Sequence, residues 1–321
     1  MPAHLFIDTN ILLSFFHLSS DDLEELRKLV ALIRGQSLHL HLPQQVKDEF
    51  QRNRDNKIAD ALKRLQEQKL NLQFPQMCKD YPEYDLLRDA QRKYEEAHSN
   101  LLRKIRSHID SEGLKADQVV RELFGSTATY PTSQQAYNYA RYRVEVGNPP
   151  GKNGSLGDAI NWETLLENVP PNEELCFVTD DGDYASPLDA NTFLPFLASE
   201  WQTKKSSALR FYKRLSAFFK DKYPQIELAS GVEKDLAITE FASSWSYANT
   251  HAAVAKLEQF SDFTPAQASA IAVAATTNNQ ISWIVQDEDV KRFLDRIVHH
   301  YGSSIEPAVL TALEQRLAPA S

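Results

Sequence analysis

The stretch HLFIDTN, residues 4–10, decides how the rest of the chain is read. Leu5, Phe6 and Ile7 are consecutive apolar residues with no polar alternation, which is the pattern of a short strand buried on both faces. The run ends abruptly at Asp8, two further polar residues follow, and a second apolar run, ILLSFF, begins at once. A carboxylate at the exit of a first core strand has two readings. It caps a helix starting near Asn10, or it stands at the carboxyl end of a parallel sheet, where functional groups collect.

Working outward, strand and helix patterns alternate. Asp21 to Arg34 carries Leu23, Leu26, Leu29, Val30 and Ile33 at helical spacing, and LHLHLP, residues 38–43, alternates as a strand. A helix beginning near Pro43 carries Val46, Glu49 and Phe50. From Asp55 to about Gly125 the chain is charged and helical in pattern, broken by Pro75 and Pro82, as expected of an inserted arm. A helix over 133–146, the turn GNPPGKNGS and the amphipathic LGDAINWETLLENV follow. ELCFVTDDGDY, residues 174–184, is a strand ending in acids, LRFY (209–212) a further strand, and FFKDKY a helix. This order predicts an α/β fold with a central parallel sheet flanked by helices and a long helical insertion at about 55–130. Beyond Gly231 only helical patterns remain, including 264–277 and 287–301. The expected division is residues 1–228 and an all-helical C-terminal extension, 229–321.

Composition sets limits. With 321 residues and 42% hydrophobic content, the chain can bury a substantial core, and it carries no apolar run near the roughly 20 residues that span a bilayer. No secretion signal is evident, and Cys78 and Cys176 offer neither a disulfide framework nor metal spacing. A cytoplasmic, non-membrane protein is the expectation, with Cys176 an inert core thiol. The formal net charge of −9 argues against a nucleic-acid coat protein, but not against an enzyme that gathers carboxylates around cations.

Four places put an acid where one crevice would gather it: Asp8, Glu49, Asp158 in the first turn of the LGDAINWE helix, and the Asp180, Asp181, Asp183 cluster. Converging carboxylates repel, and cations must balance them if they are to stay ionised. An oxygen-only donor set with no His or Cys beside it favours Mg²⁺ or Mn²⁺. Such a site suits phosphoryl displacement by water. Each acid also has an ordinary reading: helix cap for Asp8, solvated helix acid for Glu49, dipole partner for Asp158, and turn chemistry for the 180s.

These residues resemble the motifs of PIN-domain nucleases: FIDTN the opening strand–Asp–Thr/Ser–Asn motif, VKDEF the helix glutamate, GDAINWE the aspartate at a helix start, and FVTDDGDY the T-x-D-x-D-F/Y motif. PPGKNGSLGDAINWE and TDDGDY are similar to a larger PIN-like subgroup with a helical insertion and a C-terminal helical extension, which FSDFTPAQASAIAVAATTNNQISWIVQDEDVKRFL also resembles. The resemblance implies a parallel sheet between helices and Mg²⁺- or Mn²⁺-dependent endonucleolytic cleavage, most often of RNA. It implies Asp8, Glu49, Asp158 and Asp181 as the catalytic, metal-binding set, with Asp183 an auxiliary acid that also binds metal. Thr9 and Asn10 would orient Asp8 or bind a metal water, against a simple helix-start role, and Thr179 would act in the same way beside Asp181. Many bacterial members are toxins held by an antitoxin, but nothing in this sequence points to that role.

Other candidates follow from the residues. Lys152, in the turn GKNG, could meet a phosphate, against a solvated loop lysine. Arg141 and Arg143 are two apart on a helix, so at most one can face the crevice. Lys204, Lys205, Arg210, Lys213 and Arg214 form a local basic stretch, either a backbone-binding surface or a solvated face. Trp162 reads as core packing rather than a base platform, and His251, His299 and His300 form no ligand pattern. Two alternatives stand beside a nuclease. A phosphatase of the haloacid-dehalogenase type needs a second acid two residues after Asp8, where Asn10 stands. A degenerate PIN-like module would bind nucleic acid or protein without cutting. In either case the helical arm and C-terminal helices offer surfaces for a regulatory protein or a second copy of the chain.

Overall fold

The computed structural model describes residues 2–17, 23–70, 72–151, 155–226, 228–260 and 262–318. Its centre is a four-stranded, wholly parallel sheet in the order β2-β1-β5-β6, formed by β1 (Ala3–Ile7), β2 (Leu38–Leu40), β5 (Leu175–Val178) and β6 (Leu209–Tyr212). The two central strands are the two continuous apolar runs, in register Leu5↔Cys176, Phe6↔Phe177 and Ile7↔Val178. Leu5, Phe6, Leu175, Phe177 and Val178 are all fully buried. From β1 the chain moves outward to β2, and from β5 it moves the other way to β6. The sheet therefore has its topological switch point between β1 and β5, where parallel sheets open a crevice at their carboxyl ends.

LHLHLP, expected as one strand, is divided. Leu38–Leu40 pairs with β1, whereas β3 (Leu42–Pro43) pairs with β4 (Thr129–Tyr130) in a separate two-stranded sheet. Pro43 has no N–H and cannot extend the first ladder. Between them His41 is buried, its ring stacked at 5.1 Å on His4 and 5.7 Å on Tyr130.

Helices cover the sheet: α1 (Thr9–Ser14), α2 (Leu23–Arg34), α3 (Gln44–Glu67), α7 (Leu156–Asn168), α8 (Pro195–Lys205) and α9 (Leu215–Lys222). The expected insertion is not separable at residue 55, because α3 runs unbroken through that point and continues into the arm. The arm is completed by α4 (Pro82–Asp110) and α5 (Lys115–Gly125), with Pro82 tolerated in the first turn of α4. α6 (Gln134–Glu145), capped by Ser133 Oγ on Ala136 N, packs against α7. Helix α8, which sequence patterning passed over, supplies Trp201. With Trp162, Phe177, Tyr184 and Phe193 it forms an aromatic layer with ring centroids 4.8–6.3 Å apart.

The chain divides into two compact units, Met1–Gln225 and Ile226–Ser321. The second consists of α10 (Ala229–Ala242), α11 (Tyr247–Leu257), α12 (Pro265–Thr277), α13 (Asn279–Trp283), α14 (Glu288–Tyr301) and α15 (Pro307–Leu317), around its own core of Phe241, Leu257, Ile271, Phe293 and Leu294. Thr264 and Gln267 form a reciprocal capping box at the start of α12. No described helix is long and apolar enough to cross a membrane.

Candidate active site

The site begins with the two central strands. Because β1 and β5 are hydrogen-bonded neighbours, the residues that follow them emerge side by side, and the Asp8 N–H donates to Val178 O at 2.9 Å. Asp8 is 4% exposed and does cap α1, its Oδ1 accepting from Thr9 N at 2.7 Å. The cap uses only that oxygen. Oδ2 accepts from Thr179 Oγ1 at 2.6 Å, and the same hydroxyl oxygen accepts from Asp181 N at 3.0 Å and from Asn10 Nδ2 at 3.3 Å. One buried threonine thus joins both strand exits. Asp181 Oδ1 accepts from Asp183 N at 2.8 Å, which shapes the short 3-10 turn Gly182–Tyr184.

Two helices bring the other acids. Glu49, in the second turn of α3, accepts from Thr9 Oγ1 at 3.3 Å. Asp158 lies in the first turn of α7, where Ser155 Oγ donates to its Oδ2 at 3.3 Å. The residue before it, Gly157, explains how the helices approach. A Cβ there would stand 2.7 Å from Gln45 Nε2 and 3.9 Å from Glu49 Oε2. Glycine lets the start of α7 press against the face of α3 that carries Glu49.

The electrostatics follow from this crowding. Burial, with added repulsion from Asp158 and Glu49, pushes Asp8 up to about 7 against the pull of the Thr179 hydrogen bond. Burial, Glu49, Asp181 and Asp183 push Asp158 up to about 6. Glu49 is raised by burial and Asp181, while Thr9 and Arg52 act the other way. Tyr184 was not foreseen as part of this environment. Its phenol is fully buried and lies 3.5 Å from the Asp158 carbonyl oxygen. It is held well above its ordinary value by burial and by the charges of Asp158, Asp8, Asp181 and Glu49. Its position as the last residue of TDDGDY was the available signal.

The carboxylates are coupled but not closed into a cage. Among the described residues, no three His, Cys, Asp or Glu side chains stand at metal-ligand geometry. Asp8, Asp158 and Asp181 each turn an oxygen to a hydroxyl or N–H instead, as uncompensated like charges do. The donor set nevertheless fits a hard divalent cation: it is all oxygen, several members are raised by burial and, after it, by mutual repulsion, and the buried Asn10 Oδ1 beside them has no hydrogen-bond partner. The apolar cavity of about 500 Å³ lined by Phe16, Ile58, Leu62 and Leu114 contains none of these acids.

The remaining candidates lie elsewhere. Lys152 falls outside the described residues. Arg141 is exposed and pairs with Glu145 at 3.0 Å. Arg143 turns inward, its guanidinium binding Glu163 and Glu200 at 2.6 Å and the Pro149 carbonyl at 2.5 Å, so it anchors the PPG turn to α7 and α8. The basic stretch disperses: Lys204 pairs with Glu200, Arg210 with Glu174, and Lys205 is buried on Val169 O. Trp162 is fully buried and donates to Glu200 at 2.9 Å. Cys176 is buried and its thiol is pushed up to about 11, as suits an inert core residue. His251 pairs with Asp289 and Asp287.

A family model described as PIN domain matches residues 5–184, a span that includes every acid of this cluster. No curated protein and no solved structure matches the chain.

Proposed function

Because the chain belongs to the PIN-domain family, whose members are generally nucleases, we propose that it is a divalent-metal-dependent endonuclease acting on RNA. Asp8, Glu49, Asp158 and Asp181 hold Mg²⁺ or Mn²⁺, with Asp183 as an auxiliary acid. The observation that carries this reading is the electrostatic coupling of Asp8, Glu49, Asp158 and Asp181, acids from four separate segments, at the switch point of the sheet. A single capping or turn role accounts for one of them but not for the set.

When bound, a hard cation there lowers the pKa of water and offsets phosphate charge. The chain's own residues supply the rest. Thr179 and the Thr9 N–H fix the two oxygens of Asp8, so this carboxylate is oriented before any ligand arrives. Thr9 orients Glu49, and Gly157 admits Asp158 to the same crevice. Burial of Asp8 and its neighbours makes their charged forms costly without a balancing cation, so cation binding is coupled to proton release. The preference for RNA over DNA rests on the motif resemblance.

The test is cleavage by purified protein of a single-stranded and a hairpin RNA, and of the matching DNA, with Mn²⁺ and with EDTA. The expected result is Mn²⁺-dependent internal cutting of RNA that Asp8→Asn reduces to background. Undiminished cutting by that variant would remove Asp8 from the chemistry. Phosphate release from a small ester without nuclease activity would favour a phosphatase.

A further inference from the structure

Helix α4 is 29 residues long, about 43 Å at the rise of an α-helix, and not one of its residues is buried. One side rests on the end of α3: Gln91, Tyr94 and His98 bind the carbonyl oxygens of Leu70, Gln68 and Leu65. Next to that contact, and sharing Tyr94 as its edge, runs a second stripe, Glu83, Leu86, Ala90, Lys93, Tyr94, Ala97, Leu101 and Lys104, which lie on one helical face. Leu86 is 69% and Leu101 47% exposed, and with Ala90 and Ala97 they run a line of apolar residues along a charged helix face.

The stripe is palindromic. From either end the spacings are 3, 4 and 3, meeting between Lys93 and Tyr94. Laid against its own antiparallel copy about that centre, Leu86 faces Leu101, Ala90 faces Ala97, Lys93 faces the Tyr94 ring and Glu83 faces Lys104. Every pairing is favourable: apolar on apolar, small on small where backbones come closest, cation on aromatic, acid on base. The helix as a whole has the same polarity, with Glu83, Asp85 and Asp89 near its start and Arg103, Lys104 and Arg106 near its end. A surface complementary to itself under a two-fold rotation is what an isologous dimer requires. We propose that α4 is a dimerisation arm, its stripe covered by the α4 stripe of a second copy of this chain, antiparallel, with the two-fold axis between Lys93 and Tyr94.

The test is sedimentation equilibrium of the full-length protein at several concentrations and salt levels. The expected result is a reversible dimer. Leu86→Lys with Leu101→Lys converts it to a monomer of unchanged helical content, because both side chains are exposed. Glu83→Lys places lysine against lysine twice per dimer and weakens association by about ten-fold at low salt. Adding Lys104→Glu to Glu83→Lys restores it. A protein monomeric at every concentration would overturn the proposal, since the arm would then have another partner or none. A dimer that survives the two leucine substitutions, or a charge swap that fails to restore association, would place the contact elsewhere.

Discussion

Thr179 Oγ1 donates to Asp8 Oδ2 at 2.6 Å and accepts the N–H of Asp181 at 3.0 Å, so one hydroxyl binds the exits of the two central strands to each other. Thr179→Val keeps the shape and removes both bonds, leaving a buried carboxylate oxygen and a backbone N–H without partners. The expected cost is about 1–3 kcal/mol in urea unfolding, with Mn²⁺ affinity reduced, whereas Thr179→Ser retains both. Equal stability of the valine and serine variants would show that the bridge is incidental.

Asp8 and Asp158 set a pH dependence. Their folded values, about 7 and about 6, lie above the unfolded 3.8, so the folded state holds extra protons between. Their contribution to stability is full below pH 4 and is lost as pH rises through about 6–7. His41 acts in the opposite sense. Burial, with the neighbouring His4, His39 and Lys205 charges, lowers it to about 3, so its contribution is present above 6.5 and is lost as pH falls toward 3. In EDTA, Asp8→Asn should flatten the decline between pH 5 and 8 by on the order of 1–3 kcal/mol. Urea titrations at fixed pH steps measure this, and an unchanged slope would mean that Asp8 titrates normally.

Gly157 governs how closely α7 meets α3. Gly157→Ala meets only the mobile end of Gln45 and gains helix propensity, so stability should stay within about 1 kcal/mol of wild type. Gly157→Val, which adds bulk at a position where a Cβ stands 3.9 Å from Glu49 Oε2, should cost about ten-fold in Mn²⁺ affinity. Calorimetry of the two variants separates them, and identical affinities would show that the approach is not needed.

Arg143 is a structural cation. Arg143→Ala leaves Glu163, 6% exposed, without its counter-charge and the partly buried Glu200 with Lys204 alone, and should lower stability by about 3–5 kcal/mol. Arg143→Lys keeps the charge but not the fork, and should fall between. Thermal melts distinguish them, and a harmless alanine variant would contradict the anchoring role.

These cases show what was legible in the sequence. LFI and LCFV were readable as core strands because burial on both faces leaves an unbroken apolar run, while their central place in the sheet comes from the fold. Asp8, Asp158 and Asp181 were readable because each follows or opens an element, whereas Glu49, inside α3, was readable only through the VKDEF motif. The arrangement around them was less so. A sequence shows Arg143 and Lys205 as charges, and only the fold reveals that one is enclosed by two glutamates and the other by a helix-end carbonyl. The division of LHLHLP turns on a single missing N–H at Pro43. Helix α8 lacks a strong apolar period because its inward face is carried largely by Leu197 and Trp201. The palindrome on α4 hides among charged residues and becomes visible only when the face carrying Leu86 and Leu101 is seen to be exposed.

The central claim, that these dispersed carboxylates share a divalent cation, is met most directly by Mn²⁺ calorimetry at pH 6.5 in buffers of differing ionisation enthalpy, without substrate. The account predicts saturable binding with net proton release in the wild type and its loss in Asp8→Asn. Binding that is absent in the wild type, or undiminished in Asp8→Asn, would contradict it.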